Sequence, residues 1–292
     1  MNYQDFRNTV ATDLAARATN YRTAIATAKL AGTLAGPNPP LNLLADGDSW
    51  FDYPLDGLIP GVNTDIIAQL PGLCAQPPNI LNLAHHGDAT TTEVGLSRTQ
   101  QILNAIATVP PGGQFDAILF SGGGNDVAGD QFNIWLNDAS DVGNNPSFGL
   151  NQNRFNAILS VIESSYLDLI QLRDENLKGA PIFAGGYDIA IPSGVGVCGL
   201  GPWLKPALDF CGWTNPNDAA QIVRNALTQL GSLIARLAAD PDNNLVYVPT
   251  QGTLTSPGQW ANELHPTKAG FGLIAAKYQT SLAAYPAFAG RV

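Results

Sequence analysis

The hydrophobic residues of the chain fall into five short runs, each of which ends in polar or glycine-rich residues. The runs are LNLLADGDS (41–49), NILNLAHHGD (79–88), FDAILFSGGGND (115–126), APIFAGGYD (180–188) and NLVYVPTQG (244–252). Apolar runs of this length that end in turn-forming residues are typical of buried strands. We therefore predict five strands, whose carboxyl ends carry the polar residues.

Between and after the runs, apolar residues recur every three or four positions, which is the spacing of one face of a helix. Residues 3–32 form one such stretch, and the GPNPP segment ends it. Further stretches cover 155–169, 223–237 and 271–282, and Thr267 could cap the last of these. Strands that alternate with helices indicate an α/β fold, in which helices cover both faces of a parallel sheet.

The chain is predicted to form a single domain, 1–292, because it has no internal repeat and no interior linker. Residues 1–40 would be an N-terminal helical extension. Two irregular insertions, 127–150 and 189–216, follow the third and fourth strands. They would leave the sheet at the edge where parallel sheets hold their ligands, and long loops at such a place are usually lids or substrate loops.

The composition favours a globular protein that binds neither nucleic acid nor an anionic membrane. Hydrophobic residues make up 45% of the chain and charged residues 13%, which leaves enough apolar material for a core. The net charge is −10 and the 14 Lys and Arg are spread thinly, whereas nucleic acid or acidic lipid requires a basic face. No apolar run approaches the ~18 residues that a membrane span needs.

The N-terminus lacks the compact apolar segment of a secretory signal, so we expect a cytoplasmic protein, although the low charge would also suit an exported one. The three cysteines, Cys74, Cys198 and Cys211, are expected to be reduced, but Cys198 and Cys211 could close a loop after export. No CxxC pair is present, and the adjacent His85 and His86 would point to opposite faces of an extended chain. We expect neither a metal nor another cofactor.

Four residues with the chemistry of acyl transfer lie at or after predicted strand ends. Ser49 follows the first strand, Gly87 the second and Asn125 the third, and His265 comes after the fifth. In one parallel sheet these positions share an edge. A serine nucleophile needs a base such as histidine, and the oxyanion needs fixed donors. The backbone N–H groups of Ser49 and Gly87 and the side-chain amide of Asn125 could supply three.

These segments resemble the blocks that define the SGNH hydrolases, also called the GDSL esterase/lipase family. GDSW at 47–50 is similar to the nucleophile block, with Trp50 in the place of the leucine. Gly87 is similar to the second block, GGND at 123–126 to the third, and LHPT at 264–267 to the last. Their order and spacing are also the family's. The resemblance implies a flavodoxin-like three-layer α/β/α sandwich and a carboxylic ester hydrolase.

One position departs from the family's pattern. The residue three positions before the histidine is usually an aspartate that orients the imidazole, but here it is Asn262. In Ser-His-Asp proteases the same Asp→Asn exchange lowers kcat by about 10⁴. Glu263 could supply the acid instead, the backbone carbonyl of residue 262 could orient the ring, or Asp188 could reach it from the end of the fourth strand.

The sequence also suggests roles for three tryptophans and one aspartate near these blocks. Trp50, Trp203 and Trp213 are expected to contact the substrate, although the two rings in the insertion 189–216 could instead anchor that loop. Asp48 is expected to orient the turn that carries the serine rather than to take part in the chemistry.

The sequence thus favours a serine esterase that forms an acyl-enzyme on Ser49 with His265 as general base. Its substrate would be a small-molecule, lipid or acyl-sugar ester, and the sequence does not choose among acyl lengths. A degenerate hydrolase that only binds a ligand is the second hypothesis, which Asn262 favours. A metallophosphoesterase is the third, but Asp126 stands after Asn125 where such a site needs a histidine.

Overall fold

The centre of the fold is a parallel sheet of five strands. The computed structural model describes residues 3–30, 32, 38–53, 65–108, 114–197 and 199–292. The strands are β1 (Asn42–Gly47), β2 (Asn79–Asn82), β3 (Ala117–Ser121), β4 (Ile182–Gly185) and β5 (Leu245–Val248). They lie in the order β2-β1-β3-β4-β5, and every neighbouring pair is parallel. The prediction of a five-stranded parallel sheet is confirmed.

Helices cover both faces of this sheet. They are α1 (Tyr3–Leu30), α2 (Ile66–Leu73), α3 (Thr90–Glu93), α4 (Leu96–Thr108), α5 (Gly124–Val127), α6 (Gln152–Asn176), α7 (Lys205–Phe210), α8 (Pro216–Ala238) and α9 (Lys268–Ala284). Short 3₁₀ helices cover Asp130–Trp135, Ser140–Val142, Pro146–Phe148, Pro241–Asn243, Pro257–Gln259 and Pro286–Phe288. α2 packs against α9, whereas α6 packs against α3, α5 and α8. The predicted three-layer α/β/α sandwich is therefore confirmed.

The three central strands, β1, β3 and β4, are buried on both sides, which explains why they appear in the sequence as apolar runs and not as alternating patterns. The edge strands β2 and β5 are partly buried. Every residue of β3 and β4 is buried. Phe120 of β3 packs edge-on against Tyr166 of α6. On the other layer, Phe51, just after β1, packs against Tyr278 of α9. Aromatic contacts of this kind fix each helical layer to the sheet.

The order of the strands reverses at β1, because the chain passes from β1 to β2 on one side and returns to β3 on the other. Parallel sheets open a ligand-binding crevice beyond the carboxyl ends of the strands at such a point. β1 and β3 approach closely there. Gly47 has a φ of +145°, and a Cβ on it would collide with the backbone of Ser121. The glycine thus permits the close packing that places Ser49 at the crevice.

The N-terminal helix and the two insertions cover the margins of the sheet. α1 ends two residues earlier than predicted and packs against β2. The insertion 127–150 forms three 3₁₀ helices, and the insertion 189–216 contains α7. α7 contacts the 3₁₀ helix Asp130–Trp135, so the two insertions pack against each other.

Two further expectations concern membranes and disulfides. Within the described ranges, no helix is both long enough and apolar enough to cross a membrane. Cys74 and Cys211 are buried free thiols. Cys198, the other half of the candidate disulfide, lies outside the described residues.

Arg173, near the end of α6, is a completely buried cation that holds the starts of two strands. Its guanidinium donates hydrogen bonds to the backbone carbonyls of Ala180, Asn243 and Asn244, at 2.7 to 3.2 Å. Ala180 precedes β4 and Asn244 precedes β5. Nε donates to the carboxylate of Asp174. A single side chain therefore satisfies carbonyl groups at the amino ends of two neighbouring strands.

Arg173→Met should lower the free energy of unfolding by about 3 kcal/mol, because buried carbonyl groups lose charged donors and find no water. Arg236→Met is the matched control. Arg236 pairs with Glu163 through two hydrogen bonds of 2.9 Å but is 60% exposed, so its loss should cost less than about 1 kcal/mol. Urea unfolding of both variants gives the comparison, and equal costs would contradict the anchoring role of Arg173.

Candidate active site

Ser49 lies in the turn directly after β1, at the mouth of the crevice, and is buried. Asp48 fixes this turn. Its Oδ1 accepts the backbone N–H of Trp50 at 3.0 Å and the hydroxyl of Ser121 at 2.9 Å. Its backbone N–H donates to the carbonyl of Ser121 at 3.0 Å. Both the side chain and the backbone of Asp48 therefore bind Ser121, and these bonds hold the turn of Ser49 against β3.

His265 comes from the loop before α9 and meets Ser49 directly. Its Nε2 lies 2.7 Å from the hydroxyl oxygen of Ser49. The ring is buried between two aromatic rings, Tyr53 at 4.9 Å and Trp203 at 5.6 Å between centroids. The geometry is that of a serine nucleophile and its general base.

Asn262 orients the histidine. Its Oδ1 accepts the backbone N–H groups of Leu264 and His265, at 3.0 and 2.9 Å, and lies 2.9 Å from Nδ1 of the imidazole. Backbone N–H groups can only donate, so the atom of Asn262 at this place is the oxygen and not the amide nitrogen. Nδ1 must then carry the proton, which leaves Nε2 unprotonated and free to accept the proton of Ser49.

The imidazole is neutral over the whole neutral range of pH. Burial, together with a smaller effect of His86, lowers the pKa of His265 to about 3. The hydrogen-bond partner of Nδ1 is an amide, which holds the ring without attracting a proton to it. The base is therefore available at mildly acidic pH as well.

Glu263, one candidate for the acid partner of the histidine, is turned away from it. Its buried carboxylate accepts the backbone N–H groups of Gly194, Trp203, Leu204 and Lys205 at 2.6 to 3.0 Å. The expectation that Glu263 could be the acid is not met, because these four donors use both of its oxygens. Instead it fixes the insertion 189–216, including the start of α7.

The other two candidates were Asp188 and the backbone carbonyl of residue 262. The side chain of Asn262 occupies the place beside the imidazole that either of them would have taken. Asp188 is buried after β4, where its carboxylate accepts the backbone N–H groups of Ile189, Gly252 and Leu254 at 2.6 to 2.7 Å. It ties the loop after β4 to the loop after β5. The backbone carbonyl of residue 262 is not needed, since the side-chain oxygen of the same residue meets the ring.

Two of the three residues expected to supply oxyanion donors line the same cleft. Asn125, at the start of α5, lines one cleft together with Ser49. One N–H of its amide donates to the carbonyl of Asp88 at 2.8 Å, which leaves the second N–H for an oxyanion. Gly87 precedes Asp88 in the turn after β2 and has a φ of +84°, a conformation that favours glycine. The contact between Asn125 and Asp88 thus joins the second and third blocks.

The three tryptophans lie in different places. Trp50 lines the cleft and donates from Nε1 to the carbonyl of Leu264 at 3.0 Å. Trp203 is half-buried against the imidazole of His265. Trp213 is buried and donates to the carbonyl of Asn137 at 2.9 Å, so it joins the two insertions to each other and is not placed to contact a substrate.

A group of acidic side chains lies beneath the turn of Ser49. The group consists of Asp46, Asp48, Asp88, Glu93 and Asp126. Arg98, itself buried, donates to Asp46 at 3.0 Å and to Asp88 at 2.6 Å. Asp126 accepts the backbone N–H and the hydroxyl of Thr90, and so ties α3 to α5.

Burial raises the pKa of the three deepest acids. The pKa of Asp46 is raised to about 7, although Arg98 opposes the shift, and that of Asp48 to about 6, although the hydrogen bond from Tyr187 opposes it. Burial and the neighbouring negative charges hold the pKa of Glu93 well above its usual range. Both oxygens of Glu93 lack a hydrogen-bond partner among the described residues. Burial and these neighbouring charges therefore favour the neutral form of the Glu93 carboxyl group.

His85 and His86 do not point to opposite faces. Their rings stack at 4.6 Å with an angle of 20°, because both lie beyond the end of β2, where the chain begins to turn. Nδ1 of His86 lies 3.2 Å from the carboxylate of Asp52. Among the described residues, no three His, Cys, Asp or Glu side chains are grouped so as to hold a metal.

The role of Tyr187 was not predicted from the sequence. It ends the fourth apolar run, and its hydroxyl donates to Oδ2 of Asp48 at 2.6 Å. Its ring packs edge-on against Trp50 at 5.0 Å and lines the cleft. A tyrosine at the end of a strand beside the nucleophile could have been noticed, but its direction depends on a φ of +57° that no pattern predicts.

The folded protein should become less stable as the pH rises from 5 to 7.5. Asp46, Asp48 and Glu93 hold protons in the folded state that the unfolded chain has already released, so their contribution is lost as the pH rises through their raised pKa values. His265 acts in the opposite direction, as one group against three. The melting temperature should be at least roughly 5 °C higher at pH 5 than at pH 7.5.

Glu93→Gln is the control for this pH dependence. It removes one titrating acid, so the slope of stability against pH should become flatter, whereas general charge repulsion in a chain of net charge −10 would leave the slope unchanged. Calorimetry of both proteins between pH 5 and 8 measures the slopes. A native protein that gains stability over this range would show that the acids are ionised when folded.

Lipolytic proteins are among the solved structures that match the chain. A member of the lipolytic G-D-S-L family from Veillonella parvula is 15% identical, with a TM-score of 0.47, over 82% of this chain and 97% of its own. An extracellular lipase from Streptomyces rimosus is 17% identical, with a TM-score of 0.47, over 83% and 98%. A carbohydrate acetylesterase from Sinorhizobium meliloti is 12% identical, with a TM-score of 0.47, over 84% and 99%. No protein-family profile and no curated protein matches the chain. The description of the Veillonella parvula protein names the family that the sequence blocks of this chain resemble.

Proposed function

We propose that the protein is a serine esterase of the SGNH type, which hydrolyses carboxylic esters through an acyl-enzyme on Ser49. The observation that carries the proposal is the continuous hydrogen-bonded series from Ser49 through His265 to Asn262, with distances of 2.7 and 2.9 Å. Each member has the protonation state that its role requires: a hydroxyl that donates, an Nε2 that accepts and an Nδ1–H that is held by an acceptor.

In the acylation step, Oγ of Ser49 forms a bond to the carbonyl carbon of the ester while Nε2 of His265 takes the hydroxyl proton. The carbonyl electrons move to its oxygen, where the side-chain amide of Asn125 and the backbone N–H groups of Ser49 and Gly87 stabilise the charge. The bond to the alcohol oxygen then breaks, and the imidazolium gives that oxygen its proton. The products are the free alcohol and the acyl-enzyme.

In the deacylation step, a water molecule takes the place of the alcohol. His265 removes its proton as the water oxygen bonds to the acyl carbon, and the same oxyanion donors hold the second tetrahedral intermediate. The bond to Oγ breaks and the imidazolium returns the proton to Ser49. Water is consumed, a carboxylic acid is released, and the site regains its starting protonation state.

The other two hypotheses are less well supported. The acids that a metallophosphoesterase would use already have other partners: Asp46 pairs with Arg98, Asp48 accepts two hydroxyls, and Asp126 accepts from Thr90. A module that only binds a ligand would have no need for a serine and a histidine at hydrogen-bond distance.

Labelling with a fluorophosphonate serine probe tests the proposal. The native protein should gain one adduct, mapped to Ser49 by mass spectrometry, and should hydrolyse p-nitrophenyl esters. Ser49→Ala should lose both adduct and turnover while keeping the native melting temperature, because the hydroxyl takes part in chemistry and not in the core. A folded native protein that forms no adduct and turns over no ester would favour the binding module.

Asn262→Asp should raise activity at pH 8 and shift the acid limb of the pH–rate profile to higher pH. A carboxylate beside Nδ1 would favour the imidazolium and so raise the pKa of His265 from about 3. The same charge would stabilise the imidazolium of the transition state, which is worth on the order of 10²–10⁴ in kcat. Values of kcat/KM from pH 4 to 9 measure both effects.

Asn262→Ala is the control for this exchange. It removes the acceptor that holds the ring but adds no charge, so activity should fall at every pH without an upward shift of the acid limb. An unchanged profile in Asn262→Asp, in a variant that folds normally, would contradict the assignment of Asn262 as the group that orients His265.

A further inference from the structure

The cleft at Ser49 is small. Its volume is about 30 Å³, and its floor carries Ser49 and Asn125, the nucleophile and an oxyanion donor. Its walls are mainly apolar and include Trp50, Ala128, Tyr187, Leu227 and Leu264. A cavity of roughly 10–15 Å³ is enough to hold one water molecule. A carbonyl group seated on the oxyanion donors therefore leaves little space for an acyl chain inside the cleft.

Hydrogen bonds fix two of the aromatic rings that line this cleft, those of Tyr187 and Trp50. Tyr187 has a φ of +57° and is tied to Asp48 by a hydrogen bond of 2.6 Å. Its ring lies so close to Gly124 that a Cβ there would approach ring carbons within 2.7 and 2.8 Å. The indole of Trp50 is fixed by its hydrogen bond to Leu264. Since neither ring can rotate away without breaking a buried hydrogen bond, the cleft does not widen by simple side-chain motion.

A larger groove lies beside Trp203, whose ring packs against the imidazole of His265. Its volume is about 210 Å³, and it is lined by Asp130, Asn133, Pro202, Trp203, Pro206, Ala207 and Phe210. The ring of Trp203 lies 5.6 Å from that of His265, and Phe210 is 79% exposed at the margin. The groove is thus seven times as large as the cleft, and its apolar side chains are joined by the polar Asp130 and Asn133.

The chemistry of the reaction decides which part of an ester lies in which space. The acyl carbonyl must lie on Ser49 and the oxyanion donors, in the small cleft. The alcohol oxygen must lie at Nε2 of His265, because this nitrogen returns the proton to it. The rest of the alcohol then extends past the imidazole towards Trp203.

We propose that the substrates are esters of a short acyl group, acetyl or propionyl, with a bulky apolar alcohol, and that Leu227 and Trp203 set these two preferences. This inference rests on the proposed function, since it assigns the two parts of the ester around Ser49. Leu227 reaches the cleft from α8 and forms part of its apolar wall. Trp203 provides the flat apolar surface on the alcohol side.

The acyl preference is measured with 2-naphthyl esters of increasing chain length. The native protein should lose about tenfold or more in kcat/KM between acetate and hexanoate, because the longer chain does not fit the cleft. Leu227→Ala should raise the hexanoate-to-acetate ratio about tenfold. Leu233→Ala is the matched control, since Leu233 is buried on the same helix but does not line the cleft. It should lose stability without changing the ratio, which is independent of the folded fraction.

The alcohol preference is measured with two acetates. Trp203→Ala should lower kcat/KM for 2-naphthyl acetate about tenfold relative to ethyl acetate, and Trp203→Phe should restore most of the difference. Any general effect on the neighbouring His265 would lower kcat/KM equally for both esters, so the ratio of the two values isolates the contact with the alcohol.

The outcomes separate this inference from the proposed function. If Ser49 is labelled and the native protein hydrolyses octanoate as fast as acetate, the short-acyl assignment is overturned while the esterase remains. A Leu227→Ala ratio that matches the Leu233→Ala ratio would overturn the role of Leu227, and equal losses on both acetates in Trp203→Ala would overturn the role of Trp203. If no adduct forms and no ester is hydrolysed, the proposed function itself fails.

Discussion

The site depends on one buried carboxylate, that of Asp48. It accepts the backbone N–H of Trp50 and the hydroxyls of Ser121 and Tyr187, which come from the turn itself, from β3 and from the segment after β4. Three separate parts of the chain are therefore held at one point beneath Ser49. The two hydroxyls can also accept a hydrogen bond if Asp48 takes up a proton. The turn can thus remain fastened whether Asp48 is charged or neutral.

Around this point the structure uses neutral groups where charged ones would be expected. Burial lowers the pKa of His265 and its partner Asn262 is an amide. Burial also raises the pKa of Glu93, whose carboxyl group has no hydrogen-bond partner among the described residues. Ionised groups would be costly here, since burial removes their hydration. In the proposed esterase reaction, the charges of the transition state would therefore be stabilised mainly by hydrogen-bond donors and by the orientation of the imidazole.

The fold and the main residues of the candidate site could be predicted from the sequence because both depend on the strands. Ser49, Asn125 and His265 could be placed together because the carboxyl ends of parallel strands share an edge, and the strands themselves were visible as apolar runs. The choice between Asn262 and Glu263 could not be made. The two residues are adjacent in an irregular loop, and which one faces the imidazole depends on four backbone N–H groups from a distant insertion that attract Glu263.

The buried acids affect the pH at which the fold is stable, and the amide partner of His265 affects the pH at which the imidazole can accept a proton. The raised pKa values of Asp46 and Asp48, at about 7 and 6, make the folded state most favourable where these groups are protonated. A histidine paired with a carboxylate would itself be protonated at such a pH and would be lost as a base. With Asn262 as its partner and a pKa of about 3, His265 still accepts a proton there. In the proposed esterase, an asparagine instead of an aspartate at residue 262 would give up part of the stabilisation of the imidazolium. In return it would keep His265 able to accept a proton in the mildly acidic range, where the raised pKa values of the buried acids are predicted to favour the fold.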